Sequence, residues 1–284
     1  MIKKTATVKT LLEALPFIKE FRNQVVVIKY GGSAQTSPEL KERFAQDVLL
    51  MYLVGIKPVI VHGGGKSITD LLEQLQIPTE FIEGQRVTTV EVMRIVEMVL
   101  SGEINSEIVS LLNSHGAKAV GISGKDAHFI MAEPRDFSKW QYTGRITEVK
   151  AEVLQNLINE KFIPVVAPIA ADKTVGHKGY NINADLAASR IAKAIGASKV
   201  IFMTDTPGVL DGEKNLLSSL NRQQIKDLEA DGTIHGGMLP KVEACLEAVD
   251  GGVQKAHIID GRVEHALLLE LFTEEGVGTQ ITAS

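Results

Sequence analysis

VVVIKYGG, residues 25–32, reads as a β-branched strand that runs straight into a lysine, a tyrosine and a pair of glycines. The same design recurs at residues 58–65, PVIVHGGG. An aliphatic run without polar alternation makes a strand buried on both faces, and glycines at its end let the chain turn sharply into a helix. A helix signal follows the first turn: Ser37 as N-cap, Pro38 at the first helical position and Glu39 in the first turn, with Leu40, Phe44, Val48 and Met51 facing inward. Working outward, short apolar strands are expected at 119–122, 164–167, 199–203 and 256–259, separated by helical or hairpin material. Residues 129–149 carry turn residues and little helical period, which predicts hairpin-like strands. Ahead of the first strand, Val8, Leu11, Leu12 and Leu15 share one helical face, and Pro16 is expected to kink or end that helix before Ile18 and Phe21 continue it. Together these elements predict a three-layer α/β/α sandwich around an open, mainly parallel sheet, with ligands at the carboxyl ends of the strands.

The 284 residues suffice for about two domains or one large α/β unit. With 44% hydrophobic and 23% charged residues the composition is that of an ordinary globular protein. Thirty Lys+Arg against 35 Asp+Glu give a net charge of −5, so the basic footprint that collects nucleic acid or an anionic membrane is missing. The single cysteine, Cys245, excludes an internal disulfide and a thiolate cluster, which points to a reduced, cytoplasmic setting. Residues 162–171, the longest nearly apolar stretch, contain Pro164 and Pro168 and fall far short of the ~20 residues a membrane span needs. No apolar stretch follows the basic N-terminus, so no secretory signal is expected. The seven histidines show no paired-ligand spacing, and no metal site is expected.

Two glycine clusters at strand ends, Gly31-Gly32 and Gly63-Gly64-Gly65, suit either tight turns or the close approach of backbone amides to a phosphate or carboxylate. Gly65-Lys66-Ser67 looks like the end of a Walker A loop, but Ile60 stands where that motif needs glycine, and neither cluster has Rossmann spacing. Lys29, at the end of an apolar strand, is costly there unless an anion meets it. Lys241 sits where a helix begins and the dipole favours an anion. In Asn181-Ile182-Asn183-Ala184-Asp185 the polar side chains serve as caps, or Asp185 holds both lysines around a transferring phosphoryl group. Arg86 is either a surface arginine or a bidentate clamp for a substrate carboxylate. Trp140 reads as packing.

In order along the chain, VVVIKYGGSA, KPVIVHGGGK, GQRVT, VEMVLSGEIN, NINADLAA, TDTPGVL, GGMLPK and HIIDGRVEHALLLELFTEEGVGT resemble the acetylglutamate kinase branch of the amino-acid kinase family over essentially the whole length. The resemblance implies phosphoryl transfer from ATP, with Mg2+ on the nucleotide, to the γ-carboxylate of N-acetyl-L-glutamate in arginine biosynthesis. It implies catalytic roles for Lys29, Lys241 and Asp185, and substrate contacts from Gly64, Gly65, Arg86, Asn181 and Asn183. ATP would meet Gly31, Gly32, Thr204, Asp205, Gly208, Gly236, Gly237 and Met238. Residues 1–22 would form an oligomerisation helix, 23–180 the acceptor-binding part and 181–284 the nucleotide-binding part with a regulatory segment. The arginine-inhibited members of this branch are dimers arranged as hexamers (trimers of dimers), and the resemblance implies L-arginine binding at Phe17, His257, Glu270 and Gly276. A nitrogen-signalling regulatory protein is a further partner the branch suggests. Phe17 stands where the family usually has tyrosine, which bears on how tightly arginine inhibits. Gln85 and Thr89 replace a leucine and an acidic residue, which bears on substrate choice. Alternatives are a related carboxylate kinase acting on acylated aminoadipate or another amino acid, and a largely non-catalytic arginine or nitrogen sensor.

Overall fold

The computed structural model describes residues 2–283. Its strands are β1 (Val25–Tyr30), β2 (Lys57–His62), β3 (Phe81–Ile82), β4 (Gln85–Arg86), β5 (Ala119–Ser123), β6 (Ile130–Pro134), β7 (Gly144–Val149), β8 (Ile163–Ala167), β9 (Ile169–Ala170), β10 (Tyr180–Asn181), β11 (Lys199–Thr204), β12 (Ser219–Asn221), β13 (Lys255–Asp260) and β14 (Thr279–Thr282). Eight of them form one sheet in the order β12-β14-β13-β11-β1-β2-β8-β5. Every pairing in it is parallel except β13 with β14. Strands from before residue 180 make one half of the sheet and strands from after it the other, joined where β1 pairs with β11.

Side chains alternate cleanly between two apolar layers, as the two-residue period of a strand requires. On one face Val26, Ile28, Ile60, Ile201 and Met203 pack against α2 (Pro38–Leu53), α3 (Gly65–Gln74), α4 (Val90–Glu97), α5 (Asn105–Ser114) and α11 (Ala266–Phe272). On the other, Val27, Val59, Val61, Val200 and Phe202 meet α7 (Ala151–Asn159), α8 (Ala184–Ala194), α9 (Arg222–Ala230) and α10 (Leu239–Asp250). Both faces of the central strands are therefore covered, which is why they read as unbroken apolar runs. The expected sandwich is the observed one.

Local signals were resolved as expected in several places. Ser37 caps α2 by accepting from the Leu40 amide, with Pro38 just inside. Residues 129–149 form the antiparallel pair β6 and β7, joined through the short helix α6 (Phe137–Trp140). Trp140 is buried and its indole N–H donates to the Ile82 carbonyl, 3.3 Å away. Pro16 is the exception: α1 (Ile2–Phe21) runs through it as one helix, so the proline neither ends nor splits the element. Val8, Leu12 and Leu15 on α1 are exposed, while Phe21 at its end is buried; the side chain of Leu11 lies outside the described ones. Val8, Leu12 and Leu15 of the apolar stripe therefore do not pack on their own domain. The sequence reading also passed over the β3–β4 and β9–β10 hairpins, whose two-residue strands are too short to show a period.

Candidate active site

Lys29 sits one residue from the end of β1, in the middle of the sheet, and is almost fully buried. Its ammonium is met by Asp185, the second residue of α8, 3.0 Å from Oδ1 at an angle too poor for an aligned hydrogen bond. Lys241, in the first turn of α10, brings its Nζ to 3.7 Å from Oδ2 of the same carboxylate. The local sequence explains the placement. Asn183 caps α8 by accepting from the Asp185 and Leu186 amides, which starts the helix with Asp185 in its first turn. Small residues then let α8 and α10 approach closely: Ala188, Ala192, Ala244 and Ala248 are fully buried, and Ser189 Oγ donates to the Ala244 carbonyl at 2.7 Å. Burial alone would raise the Asp185 carboxyl, but the two ammonium groups more than reverse it and hold it below the usual carboxylate range. The expected trio is thus assembled as two cations around one ionised carboxylate.

Both glycine loops lie beside this trio. A Cβ on Gly31 would stand 2.8 Å from Lys29 Nζ, so the ammonium folds back over that glycine. Gly32 has φ +70°, and a Cβ there would meet Asp205 Oδ1 at 2.4 Å; conformation and space both demand glycine. On the second loop a Cβ at Gly64 would press on Ile104 and Leu100.

A cleft of about 180 Å³ opens next to the second loop, and its lining contains all five expected substrate residues: Gly64, Gly65, Arg86, Asn181 and Asn183. Arg86, on β4, is buried under the Phe81 ring, 4.6 Å from its centroid. Its guanidinium donates to Thr79 Oγ1 at 2.5 Å, to Thr69 Oγ1 at 2.8 Å and to the Gly65 carbonyl at 3.0 Å. Arg86 is therefore a fixed cation in the wall, and the surface-arginine alternative is gone. Asn181 is held by its Nδ2 donating to Thr88 Oγ1, which pairs with Thr143 Oγ1. Gln85 and Thr143 also line the cleft, whereas Thr89 caps α4 by accepting from the Val92 amide and is not in the cleft's wall.

The residues expected around ATP lie on the other half of the sheet, apart from Gly31 and Gly32. Thr204 ends β11 and is buried, Asp205 follows it beside Gly32, and Gly236–Met238 form the short 3₁₀ turn that leads into α10. Gly208, with φ +147°, packs on Thr279, whose hydroxyl accepts from the Val209 amide. Asp260, closing β13, takes Arg262 in a two-pronged ion pair. That pair was not anticipated, although an aspartate ending an apolar strand at the ligand-binding edge was a readable signal. Thr69, Thr79 and Phe81 were also missed, and neutral side chains at those spacings carry no signal. A larger cavity of about 500 Å³ extends from Gly32, Gly64 and Asp205 toward Phe44, Glu103 and Glu107. Lys29, Asp185 and Lys241 line neither space, but the smaller cleft holds Arg86, Asn181 and Asn183 and reaches Ala184, the residue before Asp185.

Three of the four residues expected to bind arginine come together. His257 Nδ1 and Glu270 Oε1 are 2.5 Å apart and buried, and a Cβ on Gly276, whose φ is +63°, would stand 2.8 Å from Glu270 Oε2. Burial lowers the His257 pKa despite Glu270, and His257 Nε2 has no partner. Burial would raise Glu270, but its bond to His257 carries it below its ordinary value. Phe17 lies half-buried on α1, the helix that packs against the α11 bearing Glu270. Lys199, which the sequence reading took only as a strand start, is buried with its ammonium over the Phe21 ring, and burial pushes its pKa down to about 8.

Among the described residues no helix is long and apolar enough to cross a membrane. Residues 24–260 match the family described as "Amino acid kinase family". The acetylglutamate kinase of Sulfurimonas denitrificans is 72% identical over 282 residues, covering 99% of this chain and 100% of that protein. N-acetylglutamate synthase from Neisseria gonorrhoeae shares the fold in two structures. Complexed with coenzyme A and N-acetyl-glutamate it has a TM-score of 0.86 at 23% identity over 98% of this chain and 63% of that one. Complexed with coenzyme A and L-arginine it has a TM-score of 0.83 at 22% identity over 98% and 65%. The carboxylate between two lysines, the arginine-walled cleft and a full-length match of this closeness lead to one assignment: the chain belongs to the amino acid kinase family, in its acetylglutamate kinase branch.

Proposed function

We propose that the cleft carries out its branch's reaction, ATP-dependent phosphorylation of N-acetyl-L-glutamate, with Lys29, Asp185 and Lys241 at the point of transfer. The observation that carries this is the ionised Asp185 held between two ammonium groups beside a cleft walled by Arg86. An oxygen of the side-chain carboxylate attacks the γ-phosphorus, the bond from that phosphorus to the β–γ bridging oxygen breaks, and ADP leaves with its electron pair. A carboxylate nucleophile carries no proton, so no general base is required. This suits a site in which the carboxylate at the point of transfer, Asp185, is engaged by lysines. What remains for the protein is positioning and charge stabilisation.

Lys29 and Lys241 neutralise charge on the transferring group from two sides, and Asp185 keeps their ammonium groups apart and aimed. The amides of Gly32 and Gly64 add donors that need no reorganisation. Arg86 binds the substrate α-carboxylate through the N–H groups its Thr69, Thr79 and Gly65 contacts leave over, with Asn181, Asn183 and Gly65 completing the pocket. The nucleotide rests on Thr204, Asp205, Gly208 and Gly236–Met238. Among the described residues no three His, Cys, Asp or Glu side chains converge to hold a metal. Magnesium would come with the nucleotide and would supply charge neutralisation at its phosphates.

Feedback by L-arginine belongs to the same reading. Glu270, paired with His257 beside Gly276, would present a carboxylate to a guanidinium or an amino group, and the relation of α1 to α11 supports a helix that senses it. The exposed Val8, Leu12 and Leu15 on α1 suit pairing with a second copy, as a trimer of dimers would need.

Steady-state turnover with Mg-ATP tests the proposal, the acyl phosphate being trapped as a hydroxamate and acetylated aminoadipate and glutamate serving as competing acceptors. Preference for N-acetyl-L-glutamate is expected. Preference for the longer acceptor would reassign the substrate through Gln85 and Arg86, and no turnover on any acceptor would remove the kinase reading.

A further inference from the structure

The geometry points to Asn105 and His62 as positioning residues that fix the Gly63–Gly64 peptide, with Asn105 imposing the Nδ1–H tautomer on His62. The inference rests on the Gly64 amide serving the reaction, as proposed above. His62 ends β2 immediately before the glycine loop and is completely buried. Asn105 Nδ2 lies 2.9 Å from the Val165 carbonyl and 3.1 Å from His62 Nε2. A backbone carbonyl only accepts, so the carboxamide atom facing it is the nitrogen. The second hydrogen of that nitrogen then points at Nε2, which must offer a lone pair.

The imidazole proton is therefore on Nδ1, and Nδ1 faces the Gly63 carbonyl at 2.9 Å, another group that only accepts. The other tautomer would set two N–H groups against each other and a lone pair against a carbonyl, around a ring that is itself fully buried. Burial also pushes the imidazole pKa down to about 4, so the ring is neutral at working pH. Because the peptide is planar and trans, holding the Gly63 carbonyl on the buried imidazole, with Gln35 Nε2 a longer second donor at 3.5 Å, turns the Gly64 N–H the opposite way, on the side of the cleft that Gly63, Gly64 and Gly65 line.

One irregular element delivers both constraints on this peptide. Residues Met98–Ile104 are wound as a π-helix directly before Asn105. Leu100 and Ile104 from this segment press on Gly64, while Asn105 reaches His62. The strand opposite makes room: a Cβ on Gly121 would stand 1.8 Å from Asn105 Oδ1. π-Turns of this kind recur where a helix must place a side chain for function.

Nitrogen-15 NMR of the histidine-labelled full-length enzyme tests the tautomer, with the His62 signals assigned by their loss in His62→Asn. A neutral ring protonated on Nδ1 is expected; a ring protonated on Nε2 overturns the proposal whatever the kinetics. Kinetics then separate positioning from packing. His62→Asn keeps a side-chain N–H near the Nδ1 position and should retain most of the turnover that His62→Gln, with its amide near Nε2, loses. The expected fall for His62→Gln is about 100-fold in kcat with KM for ATP unchanged, the scale of a small misplacement at a reacting centre. A glutamine variant at least as active as the asparagine variant would refute the role. If the wild type fails to phosphorylate N-acetyl-L-glutamate, the function reading falls and the tautomer measurement still decides the geometry.

Discussion

Replacing Asp185 with asparagine removes one charge from the centre of the site and leaves its shape. The Asn183 cap acts on the backbone amides of Asp185 and Leu186, so α8 still starts in the same place. At an effective dielectric constant of about 20, 332/εr gives roughly 5.5 kcal/mol of attraction at the 3.0 Å separation from Lys29 and roughly 4.5 at the 3.7 Å separation from Lys241, before the cost of burying the carboxylate. In the variant that attraction is gone and the two ammonium groups repel each other, so both leave their positions. Turnover should fall by about 10²- to 10³-fold, or roughly 3–4 kcal/mol, well under the gross attraction because water and the bound phosphates offset part of it. The charge of the trio meanwhile rises from +1 to +2, so binding of the nucleotide polyanion should hold or tighten. Hydroxamate trapping across an ATP titration measures both effects, and a thermal melt confirms that the variant is folded. A kcat within about threefold of wild type, or a tenfold rise in KM for ATP with kcat intact, would refute the arrangement.

Other substitutions probe the remaining parts. Arg86→Lys keeps the charge but loses the planar fork that Thr69, Thr79 and Gly65 hold in place, so KM for N-acetyl-L-glutamate should rise about 10- to 100-fold with a small change in kcat. Glu270→Gln should weaken inhibition by L-arginine at least tenfold while turnover without arginine stays near wild type; an unchanged inhibition curve would move the effector elsewhere. Asp47 offers a pH test of stability: burial, only partly opposed by His265, raises its carboxyl to about 6. The folded state thus holds this proton more tightly than the unfolded chain, so the charged carboxylate burdens the fold fully above about pH 6 and not at all below pH 4. Asp47→Asn should stabilise by on the order of 1 kcal/mol at pH 8, with the gain vanishing toward pH 4 in urea titrations.

The sheet was legible because burial on both faces leaves a strong mark. Val25–Ile28 and Lys199–Met203 have no polar face to interrupt them, and six of the eight sheet strands were recognised on that ground. β12 and β14 escaped, being short strands at one edge, and β14 joins antiparallel, outside the alternation of strand and helix. Pro16 misled because a proline in a helix gives up one backbone bond and strains its preceding turn, costs that an otherwise helical segment can absorb. For α1 the resemblance pointed to oligomerisation where periodicity alone could not decide: a stripe of apolar residues looks the same whether its partner is the same domain or another chain.

For the site, legibility followed charge. Lys29 stands where an isolated ion is expensive, so it announced that something must meet it; Asp185 stood open between a cap and a partner for the lysines, and the fold brings the two within 3.0 Å of each other. Arg86 was ambiguous from sequence because an arginine between turn residues is at home on any surface; only the Phe81 ring and the two threonines reveal it as a fixed part of a wall. His62 and Asn105 were silent for a different reason. A neutral imidazole and a carboxamide cost little to place almost anywhere, provided their bonds are satisfied, and satisfaction depends on partners 43 and 60 residues away in sequence. The same reasoning says where further functional residues of this chain should be sought: among buried neutral groups whose hydrogen bonds lead, directly or through one partner, to the backbone of a glycine loop, since their value lies in the direction they impose and not in any charge they carry.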